Sequence, residues 1–441
     1  MAAPPIADSS DRIGVNMSRP LEGKTVIDLT SALAGPYATL LLAGLGARVI
    51  KVENPARGGD SSRNNSPYVG SDGLSVRRRS ADDMSVSMML RGRGKQSIVL
   101  DLKRPEGREV LRDLVRHADV LVENYSSGVT GRLGIDFAAL REVNPRLVYT
   151  SISGFGATSG QGDRKAMDTI IQALSGVMLT AGEPNDPPVR FGLPIGDLVA
   201  PLFAVIGTLA AVLVAERTGE GQHVDVSMLG ALTSLVACEP FDALESVGFP
   251  LRTGAHVPRL APFGTFATKD GWFALCAPTD QFAAGVLEAI GRPDLLDSDD
   301  FRTRDARVAN ADRLHGLIAG WAAERTQAEA LAALEAHGAP AAAVRTTAEA
   351  VRDPLVVARG EVVPLVHPRF GHFDGLYGSG LPIVFSRSTT DLSTPAPGLG
   401  EHTDAVLRDL LGYTPDRIAE LEDAGVVGRR PLDDLATSLR A

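Results

Sequence analysis

Short apolar, β-rich runs alternate with helical patterns through the first third of the chain, and that alternation narrows the fold more than any other feature. "KTVIDLT" (24–30) reads as a buried strand, "PYATLLLAGLG" (36–46) as a helix and "ARVIKVE" (47–53) as the next strand. "KQSIVLDL" (95–102), "DVLVEN" (119–124) and "LVYTSIS" (147–153) read as further strands, with "PEGREVLRDLVRHA" (105–118) and "FAALREVN" (137–144) as helices. Such spacing implies βαβ units and an α/β fold with a mostly parallel sheet. Open sheets of this kind take ligands at the carboxyl ends of their strands. The polar residues just after strands therefore stand out: Glu53 and Asn54, Lys103, Glu123 to Tyr125, and Ser153 to Phe155. "GLGARV" (44–49) is a decoy, because it ends a helix and precedes a strand, the reverse of a dinucleotide-binding turn.

A second constraint is the run from Leu198 to Ala215, eighteen residues without a charge. It is long enough to span a membrane. Its Ala, Gly and Val content, Pro201 and the lack of a second run favour a helix buried in the core of a large protein. The segment from Asn54 to Arg93 is polar and rich in Gly and Arg; it reads as a solvated loop, with a phosphate-contacting loop as the sharper alternative. "GQHVDVSM" (221–228) opens another section. It continues through an expected hairpin in "PFGTFATKDGWFAL" (262–275), turning at Lys269-Asp270-Gly271, and through Ala- and Glu-rich helices to His337. That section reads as a smaller α+β domain, and "PAPGLGEHTDAVLRDLLG" (395–412) as a loop leading into a C-terminal helix.

The formal charge is −10, from 44 Lys and Arg against 54 Asp and Glu, so nothing points to nucleic acid. The N-terminus lacks an apolar signal segment, and Cys238 and Cys276 lack disulfide or metal spacing, so a cytoplasmic protein with no membrane association is expected. There is no P-loop, HExxH, CxxC or GxSxG pattern, and the eight histidines are scattered. No metal site is expected, and the chemistry falls to carboxylates, amides and basic groups. Asp168 begins an apolar helical stretch after the Gly-rich "SGFGATSGQGD" (153–163), and Asp197 stands in "PIGDLVAP" (194–201). Both occupy places where helix N-caps belong. A carboxylate there is also held ionised beside free N–H groups, as a carboxylate nucleophile requires. Capping and catalysis are geometrically compatible, and the pattern alone does not choose between them.

"LEGKTVIDLTSALAGPYATLLLAGLGARVIKVENPARGGDSSR" (21–63) resembles the opening of the class III CoA-transferases, the family of formyl-CoA and crotonobetainyl CoA-transferases and α-methylacyl-CoA racemases. "KQSIVLDLKRPEGREVL", "ADVLVENYSSGVTGRLGID", "NPRLVYTSISGFG", "TGEGQHVDVSM" and "LGEHTDAVLRDLLG" continue the resemblance, which runs over roughly Leu21 to Val427. It implies a Rossmann-like large domain built from both chain ends, a smaller domain between, and an interlocked homodimer. The corresponding division is an N-terminal arm over 1–20, the large domain over 21–220 and 346–441, and the small domain over 221–345. It also implies that Asp197 attacks an acyl-CoA thioester and passes through an anhydride and an aspartyl-CoA thioester. Coenzyme A then enters as substrate, with a small carboxylic acid as acceptor and no tightly bound cofactor.

Residue by residue, the resemblance places Asp168 and Lys165 beside the catalytic Asp197. It places Leu33, Ala34, Asn54, Arg57, Leu100, Lys103, Asn124, Tyr125, Arg132, Leu133 and Met228 against CoA. Arg252, His256 and Arg259 are the expected contacts for a second carboxylate on the acceptor. Oxalate-specific members carry Gln where Leu33 stands and a glycine run that "LRTGAHVPRLAP" (251–262) lacks. The racemases use a His where this chain has Met167, and racemisation needs an acid/base on each face of the α-carbon. Transfer is therefore the expected reaction; a racemase-type isomerase and a catalytically silent CoA-binding homologue are the alternatives.

Overall fold

A seven-stranded sheet organises the larger part of the chain. Its strands are β1 (Thr25–Asp28), β2 (Arg48–Glu53), β3 (Lys95–Leu100), β4 (Val120–Glu123), β5 (Val148–Ser153), β6 (His223–Ser227) and β7 (Val427–Gly428). The spatial order is β7-β3-β2-β1-β4-β5-β6. The first six strands pair in parallel, with Ile27 opposite Ile50 on one side and Leu121 on the other, whereas β7 runs antiparallel to β3. The strands from β3 to β6 thus follow the doubly wound order in which the direction of winding reverses between β1 and β4. The computed structural model describes residues 18–161, 164–257 and 259–428. Most of the expected N-terminal arm lies outside the described residues.

The helices are α1 (Ala34–Gly44), α2 (Pro105–Arg116), α3 (Asp168–Leu174), α4 (Ile195–Thr218) and α5 (Met228–Val236), with shorter turns between. Val110, Leu111, Leu114 and Val115 of α2 pack with Ile27, Ile50, Ile98 and Leu121 in one buried cluster. α1 ends where Gly46 takes φ +107° and its N–H bonds Ala43 O, so the "GLG" does act as a helix terminator. α2 starts at Pro105, which has no N–H to leave unpaired in the first turn.

The uncharged run forms α4, and it is buried on one side only. Gly196, Ala200, Ala204, Thr208, Ala211 and Ala215 make a small-residue stripe that is buried, and Thr208 Oγ1 lies 2.7 Å from Thr150 Oγ1 of β5. Leu202, Phe203, Ile206 and Leu213 are exposed on the helix, Ile206 at 64%. The expectation of an all-round buried helix is therefore corrected. Small side chains bring the helix close to the sheet, and the large ones point away. Among the described residues α4 is the one helix long and apolar enough to cross a membrane.

The expected solvated loop over 54–93 is ordered instead. It holds single turns at Pro55–Arg57 and Ser61–Asn64, a three-stranded antiparallel sheet (Gly73–Ser75, Tyr68–Gly70, Met84–Ser85) and a helix at Val86–Arg91. Its polar residues engage one another and the sheet. Buried Arg63 clasps buried Glu53 through Nε at 2.7 Å and NH2 at 2.6 Å. Sequence polarity was misleading here because part of the charge is buried and paired, Arg63 with Glu53 and Asp60 with Lys51.

The chain divides into two compact units. One comprises the described residues of Met1–Ile171, Pro194–Ala231 and Val351–Ala441; the other, Gln172–Leu193 and Leu232–Ala350. In the second unit the hairpin Phe263–Ala267/Trp272–Cys276 forms as expected, with Phe266 opposite Phe273, and Ala341–Ala343 adds a third strand. Its core joins Phe266, Phe273 and Leu275 to Val286, Leu314, Ile318 and Leu334 from the helices.

Gly107, in the first turn of α2, tests the packing beneath the sheet. Replacing Gly by Ala in a helix ordinarily adds about 1 kcal/mol of stability. Here a Cβ would sit 2.1 Å from the Asp101 carbonyl oxygen, a backbone atom that cannot swing aside. Gly107→Ala is expected to destabilise the protein by about 1–2 kcal/mol in urea unfolding, overpacking outweighing propensity.

Candidate functional site

The winding reversal between β1 and β4 opens a crevice at their carboxyl ends, and a cavity of about 240 Å³ lies there. Its lining includes Ala32 and Ala34 after β1, Asn124 and Tyr125 after β4, the Gly-rich turn after β5, and Lys165, Asp168, Asp197 and Met228. Two connections are tied across the reversal by one amide. Asn124 Oδ1 accepts from Ser31 N at 2.9 Å, and its Nδ2 donates to Ser31 O at 2.8 Å. The Gly-rich turn is held by Asp225, which accepts from Ala157 N at 2.8 Å and from Thr158 N at 3.0 Å.

Ala32 has φ +71° and is the one non-glycine residue at positive φ among the described residues. That conformation costs an alanine about 1–2 kcal/mol. It survives because its surroundings over-determine it: Ala32 N donates to Asp60 Oδ1 at 3.1 Å, and Ala32 O accepts from Arg91 NH1 at 3.1 Å. The turn leads directly into α1, whose N-cap Leu33 makes no side-chain capping bond. The Ala34 and Gly35 N–H groups have no partner among the described residues, and Pro36 has no N–H, so α1 presents free donors where Ala34 meets the cavity.

Asp197 lies in the first turn of α4, two residues inside the helix start, and caps nothing. The cap is Asp168: its Oδ1 accepts from Gly196 N at 2.8 Å and Asp197 N at 3.4 Å. Asp168 itself is the first residue of α3, after Met167, whose carbonyl accepts from Ile170 N and Ile171 N. Both expected N-cap assignments are thus corrected, since each aspartate sits inside its helix and Asp168 serves the neighbouring one. The close approach needs Gly196, where a Cβ would lie 3.1 Å from Asp168 Oδ1. The Gly196 and Asp197 N–H groups of α4 are already taken by Asp168, and Ala34 and Gly35 of α1 supply free ones instead.

The electrostatics follow from this arrangement. Burial, and then the Asp168 carboxylate, push the Asp197 carboxyl up to about 6, while Arg91 opposes them. Helix-terminus stabilisation alone led to the expectation of a firmly ionised group; desolvation and like charge outweigh it. At neutral pH the carboxylate still dominates by about ten to one. Arg91 lies in the Arg-rich segment and was not singled out by the sequence. Burial lowers its pKa, while the charges of Asp60 and Asp197 raise it.

Beneath the turn lies a fully buried charge cluster. Lys95 Nζ is 3.0 Å from Asp28 Oδ2 and also donates to Pro36 O and Thr39 Oγ1 of α1. Lys51 Nζ is 2.7 Å from Asp60 Oδ2 and donates to Thr30 O at 2.8 Å. Burial alone would raise the Asp28 and Asp60 carboxyls, but their lysine partners hold both below the usual range. Burial brings Lys95 down to about 8, against the pull of Asp28.

Of the residues assigned from the resemblance, Ala34, Asn124, Tyr125, Lys165, Asp168, Asp197 and Met228 meet at the cavity. The others do not. Leu100 is a core residue of β3, and Leu133 packs against the same core. Asn54 caps the turn at Pro55–Arg57, accepting from Ala56 N, and Arg57, Lys103 and Arg132 are exposed. Leu33 is half-buried at the start of α1. In the second unit Arg252 donates to Pro184 O and Pro187 O, Arg259 pairs with Glu239 at 2.8 Å, and His256 stacks on His315 at 4.2 Å. All three are engaged within that unit. Among the described residues no three His, Cys, Asp or Glu side chains gather as a metal site.

The family model described as CoA-transferase family III matches residues 21–403. The chain is 35% identical over 400 residues to the succinate–glutarate CoA-transferase of Agrobacterium fabrum, covering 90% of this chain and 96% of that one. It is 37% identical over 393 residues to the succinyl-CoA:mesaconate CoA-transferase of Haloarcula hispanica, covering 88% and 95%. A crystal structure of a CAIB/BAIF family protein from Brucella suis superposes with a TM-score of 0.77 at 33% identity, covering 89% of this chain and all of that one.

A carboxyl raised to about 6 from 3.8 costs folding stability whenever it is charged. The cost is complete above pH 6 and vanishes as the pH falls below 4, where both folded and unfolded forms bind the proton. Asp197→Asn is therefore expected to raise Tm by about 2 °C at pH 7.5, the gain shrinking towards pH 4. Scanning calorimetry across that range checks both magnitude and sign.

Proposed function

The chain belongs to CoA-transferase family III and is a CoA-transferase, and we propose that it exchanges CoA between two dicarboxylic acids through acyl and thioester intermediates on Asp197. The observation that carries this reading is Asp197 itself. It is an ionisable carboxylate of raised basicity in a cavity at the winding reversal, which Ala34 at the N terminus of α1 also lines.

Asp197 attacks the thioester carbonyl of the donor, and the tetrahedral oxyanion is received by the free N–H groups of α1. CoA leaves as the thiolate, giving a mixed anhydride between the donor acyl group and Asp197. The thiolate then attacks the Asp197 carbonyl, releasing the donor acid and forming the aspartyl-CoA thioester. The acceptor carboxylate displaces CoA to form a second anhydride. Attack of the thiolate on the acceptor acyl carbon frees Asp197 and the new thioester. Each step trades one activated acyl group for another, so no proton or water is consumed overall. Asp168 raises the basicity of Asp197 and caps α4; Arg91 keeps enough of the carboxylate ionised to attack.

Dicarboxylic acids are supported by two facts. The named relatives handle succinate, glutarate and mesaconate, and Arg164 and Lys165 line the cavity as cationic partners for a second carboxyl group. The CoA contacts assigned to Asn54, Arg57, Lys103, Arg132 and Leu133 remain part of the proposal, as extensions beyond the cavity. Met167 lines the cavity without a titratable group, which supports transfer over racemisation. The exposed apolar face of α4 supports a homodimer in which a second copy covers it, interlocked as in the family. Two free, exposed cysteines fit a reducing cytoplasm.

Incubation with succinyl-CoA alone, followed by mass spectrometry of the peptide carrying Asp197, is expected to show a gain of CoA less water. Its absence from active enzyme contradicts the intermediate. The acid limb of the kcat profile reports the Asp197 pKa. Arg91→Gln removes a charge that lowers that pKa, so the limb is expected to move to higher pH. Asp168→Asn keeps an acceptor for the α4 N–H groups but removes a charge that raises it, so the limb is expected to move to lower pH.

A further inference from the structure

We propose that Asp60 is a positioning residue of the transfer reaction, holding the Ser31–Ala32 turn in the left-handed shape that aims the free N–H groups of α1 into the cavity. The inference rests on the reading that those N–H groups receive the oxyanion.

Asp60 is 3% exposed and about thirty residues away in sequence from the turn it holds. Its Oδ1 accepts from Ala32 N at 3.1 Å and from Ser62 N at 2.8 Å, with Ser31 Oγ at 3.4 Å. Its Oδ2 faces Lys51 at 2.7 Å, and its own N–H donates to Glu53 Oε2 at 2.9 Å. Glu53 in turn is clasped by Arg63 and by Ser97 Oγ at 2.6 Å. The carboxylate is thus fixed on its far side by buried partners that belong to β2 and β3, and only its Oδ1 reaches the turn. That is a rigid post, not a mobile contact.

Lys51 also donates to Thr30 O, so the lysine that fixes Asp60 also fixes the residue just before the Ser31–Ala32 turn. Arg91 and Asn124 close the remaining polar groups of Ser31 and Ala32. Of these contacts, the one with Asp60 satisfies the Ala32 N–H, the group whose orientation changes when φ reverses sign. Without it, alanine relaxes to negative φ, and α1 begins from a different direction. Asp60 is not itself a lining residue and meets the cavity wall at Ala32, so its contact with the site is made through the turn.

The test separates positioning from mere support through a rescue. Glycine adopts positive φ without strain. Asn has one acceptor oxygen where Asp60 serves both Lys51 and Ala32. With that oxygen held by the buried lysine, an amide N–H faces Ala32 N, and Asp60→Asn is expected to lower kcat about a hundredfold with KM for succinyl-CoA nearly unchanged, the size of effect that follows loss of an oxyanion donor. Adding Ala32→Gly to Asp60→Asn is expected to recover at least about tenfold of kcat, because the turn no longer needs to be forced. Retention of kcat by Asp60→Asn, or a folded double variant with no recovery, overturns the proposal. If Asp60→Asn does not fold, Ala32→Val decides: it leaves the charge cluster intact but disfavours positive φ, and an unchanged kcat overturns the proposal. Asp197→Ala, measured alongside, reports the underlying reaction separately. If that variant transfers CoA, the nucleophile reading fails, whatever Asp60 does.

Discussion

Four buried charges, Asp28, Lys51, Asp60 and Lys95, are the interaction on which the site depends. None is more than 3% exposed, and they alternate in sign along the chain, from β1 through β2 and the segment after it to β3. Removing one member of such a cluster strands another charge in a medium of low dielectric, at a cost of about 3–5 kcal/mol. The cluster does more than balance itself. Lys95 reaches the first turn of α1, Lys51 the connection after β1, and Asp60 the strained Ala32. The parallel sheet sets where β1 and β4 end; the cluster sets the exact direction in which the chain leaves β1.

The second determinant is the pairing of Asp168 with the start of α4. A carboxylate that caps a neighbouring helix brings its charge next to Asp197, and Gly196 makes the approach possible. The same contact that stabilises α4 therefore raises the basicity of the group proposed to attack. Stability is given up at Asp197 in exchange for a carboxylate that is ionised at neutral pH but more basic than an exposed one, the usual tension at active sites. Arg91 sets the other limit on that tuning.

The fold was legible where burial dictates sequence. Strands covered on both faces read as continuous apolar runs, and all five assigned to the opening of the chain lie in the main sheet. The cavity's position followed from strand polarity and the winding reversal. What was not legible depends on contacts distant in sequence. "GDLVAP" looks the same whether the aspartate caps the helix or sits inside it, because the true cap, Asp168, lies 29 residues earlier. Arg91 was hidden in a segment whose polarity suggested solvent. The two faces of α4 were readable in principle: small residues recur at 196, 200, 204, 208, 211 and 215, while Leu202, Phe203, Ile206 and Leu213 fall elsewhere on the helix.

In the proposed cycle the Asp197 carboxylate becomes covalently joined to each acyl group in turn. Oxygen-18 tracing tests this most directly. When the acceptor acid carries the label in both carboxylate oxygens, breakdown of the second anhydride leaves one labelled oxygen on Asp197. Under turnover with unlabelled donor thioester, oxygen-18 is expected in the Asp197 peptide and then in the released donor acid. An Asp197 peptide that stays unlabelled while labelled acyl-CoA product accumulates contradicts the cycle.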